Sequence, residues 1–347
     1  YTSAVDAALT DALASIINQV SIANTGYSNS GVGFQIELAA CFETNYTESG
    51  SQSTDLSRSQ NSSDGYMDEV HTNRTLWSAD QCALIVTGGG GVAYFTNSTS
   101  YQFSVTGINN FSVYTFHHEL GHNSLCSHSL TQSSSPGTAP YSGWGEPTVG
   151  CFRTIMAYSD ACGTGSCPRQ NIFSDDNGTW SCSSTNYPKG DINSRNSDRL
   201  VLSRPILVSH MTVAANSSYS DDYSFLDKEA VHFVADQGVS YSSPSNNFAL
   251  ESGSEGSFRA SEPVTLGEGF WAKAGSEFTA YLDDCTPLRE SNPNIEGIVA
   301  KSDVIDWSIQ PNPTSGNTLM KFDIQNNTHG SINIYDLAGR KMITVAN

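Results

Sequence analysis

Val5, Ala8, Leu9, Leu13, Ile16, Ile17 and Val20 recur at helical spacing and predict an amphipathic helix at the start of the chain. From Val32 to Leu38 apolar and polar residues alternate, which reads as a strand. A second helix is expected over about 65–77, followed by apolar strands at 83–87 and 92–95. That strand–helix–strand order predicts a parallel pair joined by a crossover helix. Helical spacing returns at 112–124, behind the apolar stretch Phe111–Phe116, and again at 194–209. After about residue 212 it stops. Short alternating runs such as 258–265 and 269–281, dense in Ser and Gly, predict a region built only of strands. The expected organisation is an α/β (α+β) domain over 1–211, a β-rich module over 212–290, a linker at 291–303 and a further β domain over 304–347.

Charge narrows the partners. Lys and Arg number 16 against 35 Asp and Glu, a formal net charge of −19, which makes nucleic acid and anionic membrane surfaces poor partners. No apolar run reaches the roughly 18–20 residues that span a bilayer. Eight cysteines, six of them between 82 and 182, point to disulfides and an oxidising compartment, with Cys162–Cys167 the one pairing that spacing suggests. Residues 88–91 are glycines, but no Lys-Ser/Thr follows, so they are no phosphate loop. Tyr1 and the polar helical stretch behind it read as a mature or trimmed start.

The chemistry gathers at His118-Glu119-Leu120-Gly121-His122. Residues four apart share a helix face, so His118 and His122 can aim ring nitrogens at one metal ion while Glu119 stands beside them. Polar groups of this kind on a half-buried helix are costly unless something pairs with them. His128 follows six residues after His122, and Thr154-Ile155-Met156-Ala157-Tyr158 about thirty residues later.

This series resembles the metzincin metallopeptidases, whose signature is His-Glu-x-x-His-x-x-Gly-x-x-His followed by a methionine turn. The resemblance implies an active-site helix under a mixed, twisted sheet. It makes His118, His122 and His128 zinc ligands, Glu119 the general base and Met156 the floor beneath the metal. The implied activity is peptide-bond hydrolysis by a water that Glu119 activates at the zinc. Tyr158 stands where some members carry a tyrosine that stabilises the oxyanion. Gly91, Val92, Ala93 and Tyr94 correspond to the edge strand that binds substrate. Leu125 occupies the glycine position of the signature, and Ser129 the place of an aspartate in adamalysin-like members.

Asn45–Gly50, Ser63–His71, Gly91–Tyr94 and Phe103–Val105 are similar to bacterial adamalysin-like peptidases, the peptidyl-Asp metalloendopeptidases among them. Cleavage beside aspartate, which the resemblance implies, calls for a cation in the pocket for the residue following the scissile bond, with Arg153 the candidate and Arg169 the second. Asp175-Asp176-Asn177 could hold structural calcium, with a plain acidic loop tip the default reading. Val264–Tyr281 resembles a β module of secreted Bacteroidetes proteins. Ile309–Gly316 and Ile334–Arg340 resemble the sorting domain of type IX secretion, which implies that machinery as a partner and a place at the cell surface or outside a Bacteroidetes-type bacterium. Asn347 falls before such a domain ends, so a truncated C-terminus is expected. The competing reading is a non-catalytic surface or filament-type structural protein on a peptidase-like fold, motivated by Leu125, Ser129 and the β modules.

Overall fold

The computed structural model describes residues 1–163, 166–210, 216–219, 221–235, 238–260, 264–267, 269–282, 305–310, 319–324, 331–335 and 341–346. Its contacts divide the chain into two units, Tyr1–Leu38 with Glu43–Thr212 and Ala39–Phe42 with Val213–Asn347.

In the first unit the opening periodicity resolves into two helices, α1 (Ser3–Ala8) and α2 (Ala12–Ser30). The break falls at Asp11, whose carboxylate accepts from the Ala14 amide (2.8 Å) and caps α2. A side chain that satisfies an orphan amide at a helix start competes with continuing the previous helix. The expected strand from Val32 to Leu38 does not form. There the Ile36 backbone donates to Asn24 Oδ1 (2.8 Å) and accepts from Asn24 Nδ2 (2.9 Å), so a side chain on α2 replaces the neighbouring strand. The short strand β1 (Ala40–Cys41) belongs to the second unit.

Helix α3 (Gln52–Gln60) lay below the reach of periodicity because Leu56 is its only buried large apolar residue. It is held instead through buried Asp55, which accepts from the Tyr46 hydroxyl (2.5 Å) and the Ser49 amide (2.9 Å). Helix α4 (Glu69–Leu76) leads to β2 (Cys82–Val86), β3 (Gly91–Ala93) and β4 (Phe103–Gly107). They form a mixed sheet in the order β2-β4-β3, with β2 parallel and β3 antiparallel to the fully buried β4. The parallel pair is thus β2 with β4, and its partner is not the segment at 32–38. Tyr46, Leu56, Met67, Leu84, Val86, Phe103 and Val105 form the core under this sheet. Helix α5 (Thr115–Asn123) follows a 3₁₀ segment, from which it is separated by Tyr114 at φ +65°. A hairpin, β5 (Thr179–Cys182) and β6 (Thr185–Pro188), and then α6 (Asn196–Leu207) complete the unit. Disulfides join Cys151 to Cys182 and Cys162 to Cys167, the second as spacing suggested. Cys41, Cys82 and Cys126 are free thiols, and Cys285 lies outside the described residues.

The second unit repeats. Strands β7 (Asn216–Tyr219), β8 (Tyr223–Phe225) and β9 (Ala230–Ala235) are followed by β10 (Gly238–Tyr241), β11 (Phe248–Leu250) and β12 (Glu255–Ala260). A third set is β13 (Val264–Leu266), β14 (Phe270–Ala272) and β15 (Glu277–Leu282). Each strand pairs in parallel with the corresponding strand of the next set, giving the sheets β13-β10-β7, β14-β11-β8 and β1-β9-β12-β15. This is a three-rung parallel β-solenoid, in which a rung buries its apolar face only by stacking on its neighbours. Tyr223, Phe248 and Phe270 occupy one register position on successive rungs. Phe248 meets Phe233, Phe258 and Phe270 at ring separations of 5.2–5.6 Å. On β9, antiparallel β1 covers the outer edge. Farther along, β16 (Ile305–Gln310) pairs with β17 (Leu319–Ile324), and β18 (Ser331–Tyr335) with β19 (Lys341–Ala346), all antiparallel. The turn portions of the two sorting-domain motifs, at 311–316 and 336–340, lie outside the described residues.

Candidate metal centre

Three histidines converge from α5 and the turn behind it. His118 Nδ1 donates to the Ile155 carbonyl (2.9 Å), His122 Nδ1 to Cys126 (3.0 Å) and His128 Nδ1 to Ser135 (3.2 Å). Each bond fixes the tautomer, because a carbonyl only accepts, and turns the proton-free Nε2 inward. His122 Nε2 then lies 3.0 Å and His118 Nε2 3.3 Å from His128 Nε2. Nitrogen lone pairs at that distance repel unless a cation joins them. The spacing is close to the roughly 3.3 Å edge of a tetrahedron with metal–nitrogen bonds of about 2.0 Å. Burial holds the three imidazoles neutral, the form that binds metal: His118 falls well below the usual range, His122 to about 3, and His128 is also lowered. This donor set fits zinc. Among the described residues it is also the one group of three or more side chains able to hold a metal ion.

Leu125 decides whether His128 arrives. It takes φ +63°, the left-handed conformation that the family's glycine would adopt. The Leu125 amide bonds to the His122 carbonyl and the Cys126 amide to that of Gly121, both at 2.9 Å, which is the Schellman closure of a helix. A leucine there costs about 1–2 kcal/mol. The turn is strained, yet it is built.

Around the triad, glycines make room. A Cβ on Gly121 would lie 2.8 Å from Met156 Sδ, so the fully buried Met156 packs directly against the motif helix. On Gly91 a Cβ would lie 2.5 Å from Glu119 Oε1, which brings the edge strand β3 against the glutamate. Burial pushes the Glu119 carboxyl up to about 8, with Arg169 opposing. An ionised Glu119 in this place therefore needs positive charge nearby.

Tyr158 is 42% exposed, with its ring 4.9 Å from that of His128 and 6.0 Å from that of His118. Val92 and Tyr94 pack on the core, so β3 offers its backbone edge rather than these side chains. Arg153 lies beside Arg169 through a parallel bridge, and its Nη1 donates to the Cys167 carbonyl. Asp175 and Asp176, the expected calcium loop, pair with Lys189 (3.3 Å) and Arg195 (3.8 Å).

Sequence reasoning missed two neighbours of the centre. Phe95 is 53% exposed, with its ring 6.0 Å from that of His122. Buried His117 holds Asn171 at 2.7 Å, and burial drops its pKa to about 4. The alternation through 92–95 hinted at Phe95 as the residue opposite Tyr94; His117 carried no signal apart from its place next to the motif.

A profile of metallo-peptidase family M12, reprolysin type, matches residues 1–174. The chain belongs to metallo-peptidase family M12. This M12 chain is 41% identical over 158 residues to the peptidyl-Asp metalloendopeptidase of Pseudomonas fragi, covering 82% of that protein and 44% of this chain. It is 38% identical over 197 residues to the protein of the same name from Stenotrophomonas maltophilia strain K279a, and 34% identical over 193 residues to that of Xanthomonas campestris pv. campestris. The alignments span less than half the length of those two relatives, 44% and 43%, and 53% of this chain. A solved structure described as a chaperone-substrate complex aligns with 61% of the M12 chain and 34% of its own at TM-score 0.47 and 18% identity, a likeness that carries no functional argument.

Proposed function

We propose that the chain is a secreted zinc endopeptidase that hydrolyses peptide bonds in proteins beside aspartate. One observation carries this reading: three Nδ1–carbonyl bonds leave three bare Nε2 atoms facing one another, with Glu119 buried on the same helix. His118, His122 and His128 are its metal ligands. When bound, zinc supplies Lewis acidity toward water and toward a carbonyl oxygen.

Glu119 is the general base. It takes a proton from the attacking water and delivers it to the leaving amine, a task that favours a carboxyl whose pKa burial has raised toward neutrality. Tyr158, beside His128, donates its phenol hydrogen to the oxyanion that develops on the scissile carbonyl. Gly91, Val92, Ala93 and Tyr94 bind an extended peptide as an added strand along the open edge of β3. Met156 keeps the floor dry. Preference for aspartate follows the names of the relatives, and Arg153 is the cation that sequence reasoning nominates for it.

The proposal extends to export. Domains at 1–211 (catalytic), 212–290 (accessory) and 304–347 (type IX sorting), joined by a linker at 291–303, would take the protein to the surface or exterior of a Bacteroidetes-type bacterium. Resemblance of the two C-terminal motifs supports this, and two disulfides suit an oxidising compartment. No described helix is long and apolar enough to cross a membrane.

The deciding experiment pairs metal analysis with proteolysis. Glu119→Ala is expected to retain stoichiometric zinc while turnover of a denatured protein falls by roughly 10²–10⁴-fold. Zinc-loaded wild-type protein that cleaves no denatured substrate ends this reading in favour of a non-catalytic one.

A further inference from the structure

Arg153 and Arg169 are two guanidinium groups on adjacent extended segments, held together by the bridge between them and by the Arg153 amide on the Pro168 carbonyl (2.9 Å). Among the described residues neither lies within 4.0 Å of a carboxylate. This is unexpected in a chain with 35 acidic residues and 16 Lys and Arg, where Lys189 and Arg195 both find carboxylates. The partners the two arginines have are carbonyls. Arg169 Nη1 donates to Val113 (3.0 Å) and Nη2 to Ala157 (3.4 Å), while Arg153 Nη1 donates to Cys167. The Nε donors of both are buried and have no hydrogen-bond partner among the described residues. Burial, followed by repulsion from Arg153, lowers Arg169 to about 10. Two half-buried like charges beside each other, each with a buried Nε donor left over, are unfavourable until an anion joins them.

Their place says where that anion comes from. The Arg169 guanidinium lies 5.7 Å from the Tyr158 ring, which in turn stands 4.9 Å from the His128 ring. Its charge acts on Glu119, His118, His128 and Tyr158, whereas that of Arg153 reaches Tyr158 and Arg169. Asp160 is the acid whose charge acts on Arg153, and its carboxylate accepts from the Ser133 amide at the surface (3.2 Å).

We propose that Arg169, backed by Arg153, is the receptor for a carboxylate side chain of the substrate residue that follows the scissile bond. This deepens the endopeptidase reading and rests on it. It also moves the specificity role from Arg153, the nominee of the sequence, to its neighbour. Guanidinium groups recognise carboxylates by paired, charge-assisted hydrogen bonds, so the amide of asparagine, nearly the same shape, is rejected. A role confined to bracing the Val113 and Ala157 carbonyls would give no such discrimination.

The test compares two peptides that differ only in Asp or Asn at that position, with two readouts. The first is kcat/KM of the zinc-loaded full chain. The second is fluorescence-anisotropy affinity of the Glu119→Ala protein, which binds without turnover. Wild type is expected to favour Asp by at least about 30-fold. Arg169→Met should bring the Asp/Asn ratio to within about 3-fold at unchanged zinc content, Arg169→Lys should restore part of it, and Arg153→Gln should weaken it less. An unchanged ratio in Arg169→Met, or no preference in wild type, overturns the proposal. If Arg169→Met does not fold, an unchanged affinity ratio in both Arg169→Lys and Arg153→Gln does so. Absent cleavage with a preserved Asp/Asn affinity ratio would sink the endopeptidase reading and leave the carboxylate receptor standing.

Discussion

Around the three histidines, each polar group answers to one particular partner: Ile155 holds His118, Cys126 holds His122, Ser135 holds His128. In the solenoid a residue's neighbours are its own counterparts on the next rung, as with Tyr223, Phe248 and Phe270. The first arrangement fixes a geometry from many unlike contacts, and a small displacement there is felt as lost chemistry. The second buries area by repetition, and a lost ring there is felt as lost stability. Local specificity and stacked redundancy thus coexist in one chain, and a substitution should report which kind of region it strikes.

The sharpest way to break that contrast is Phe248→Ala. Removing a fully buried ring that packs against three others should cost about 3–5 kcal/mol of unfolding free energy, read by denaturant melts, with stoichiometric zinc retained. Loss of zinc in a variant that is still folded would show that the two regions do not divide their roles this way. Next in size is Gly91→Ala. The added methyl would press on Glu119 Oε1 and Thr115 Cγ2, so kcat is expected to fall by roughly 10–100-fold with stability and zinc little changed. Turnover equal to wild type would mean that Glu119 yields freely and that its exact seat does not matter. The smallest effect belongs to Leu125→Gly. Relief of left-handed strain opposes glycine's greater unfolded-state entropy and the lost side-chain burial, so stability should move by less than about 1 kcal/mol, with zinc affinity unchanged. A large gain would show that the turn strains the site more than its Schellman bonds suggest.

Much of the first region could be read in advance because its signals are local. The spacing of His118, His122 and His128 and the later Met156 needed no partner to be recognised, and α5, α6, β2 and β3 carried clear apolar patterns. What failed there failed for a non-local reason. The alternation at 32–38 was real, but Asn24, twelve residues earlier and on α2, took the Ile36 backbone groups that a strand would have used. Helix α3 rests on one buried leucine and a buried aspartate, a pattern that periodicity cannot register. The solenoid was legible as strands but not as a repeat. Its register partners lie 22 or 25 positions apart, as Tyr219 with Tyr241 and Tyr223 with Phe248 do, and the uneven interval hides the recurrence.

By itself the sequence determined the chemistry on offer: which side chains are able to bind metal, which one is able to move a proton, and that the chain is acidic and rich in strands. Residue type and short-range spacing suffice for that, since a helix turn sets where His118 and His122 face. Only the tertiary structure decided that Leu125 turns far enough for His128 to join them, that Gly91 lies against Glu119, and that Arg169 stands beside Tyr158 with no carboxylate partner among the described residues. Those outcomes depend on contacts between segments far apart in the chain, where the free energy of a strained or unpaired group is balanced by neighbours that no local pattern names.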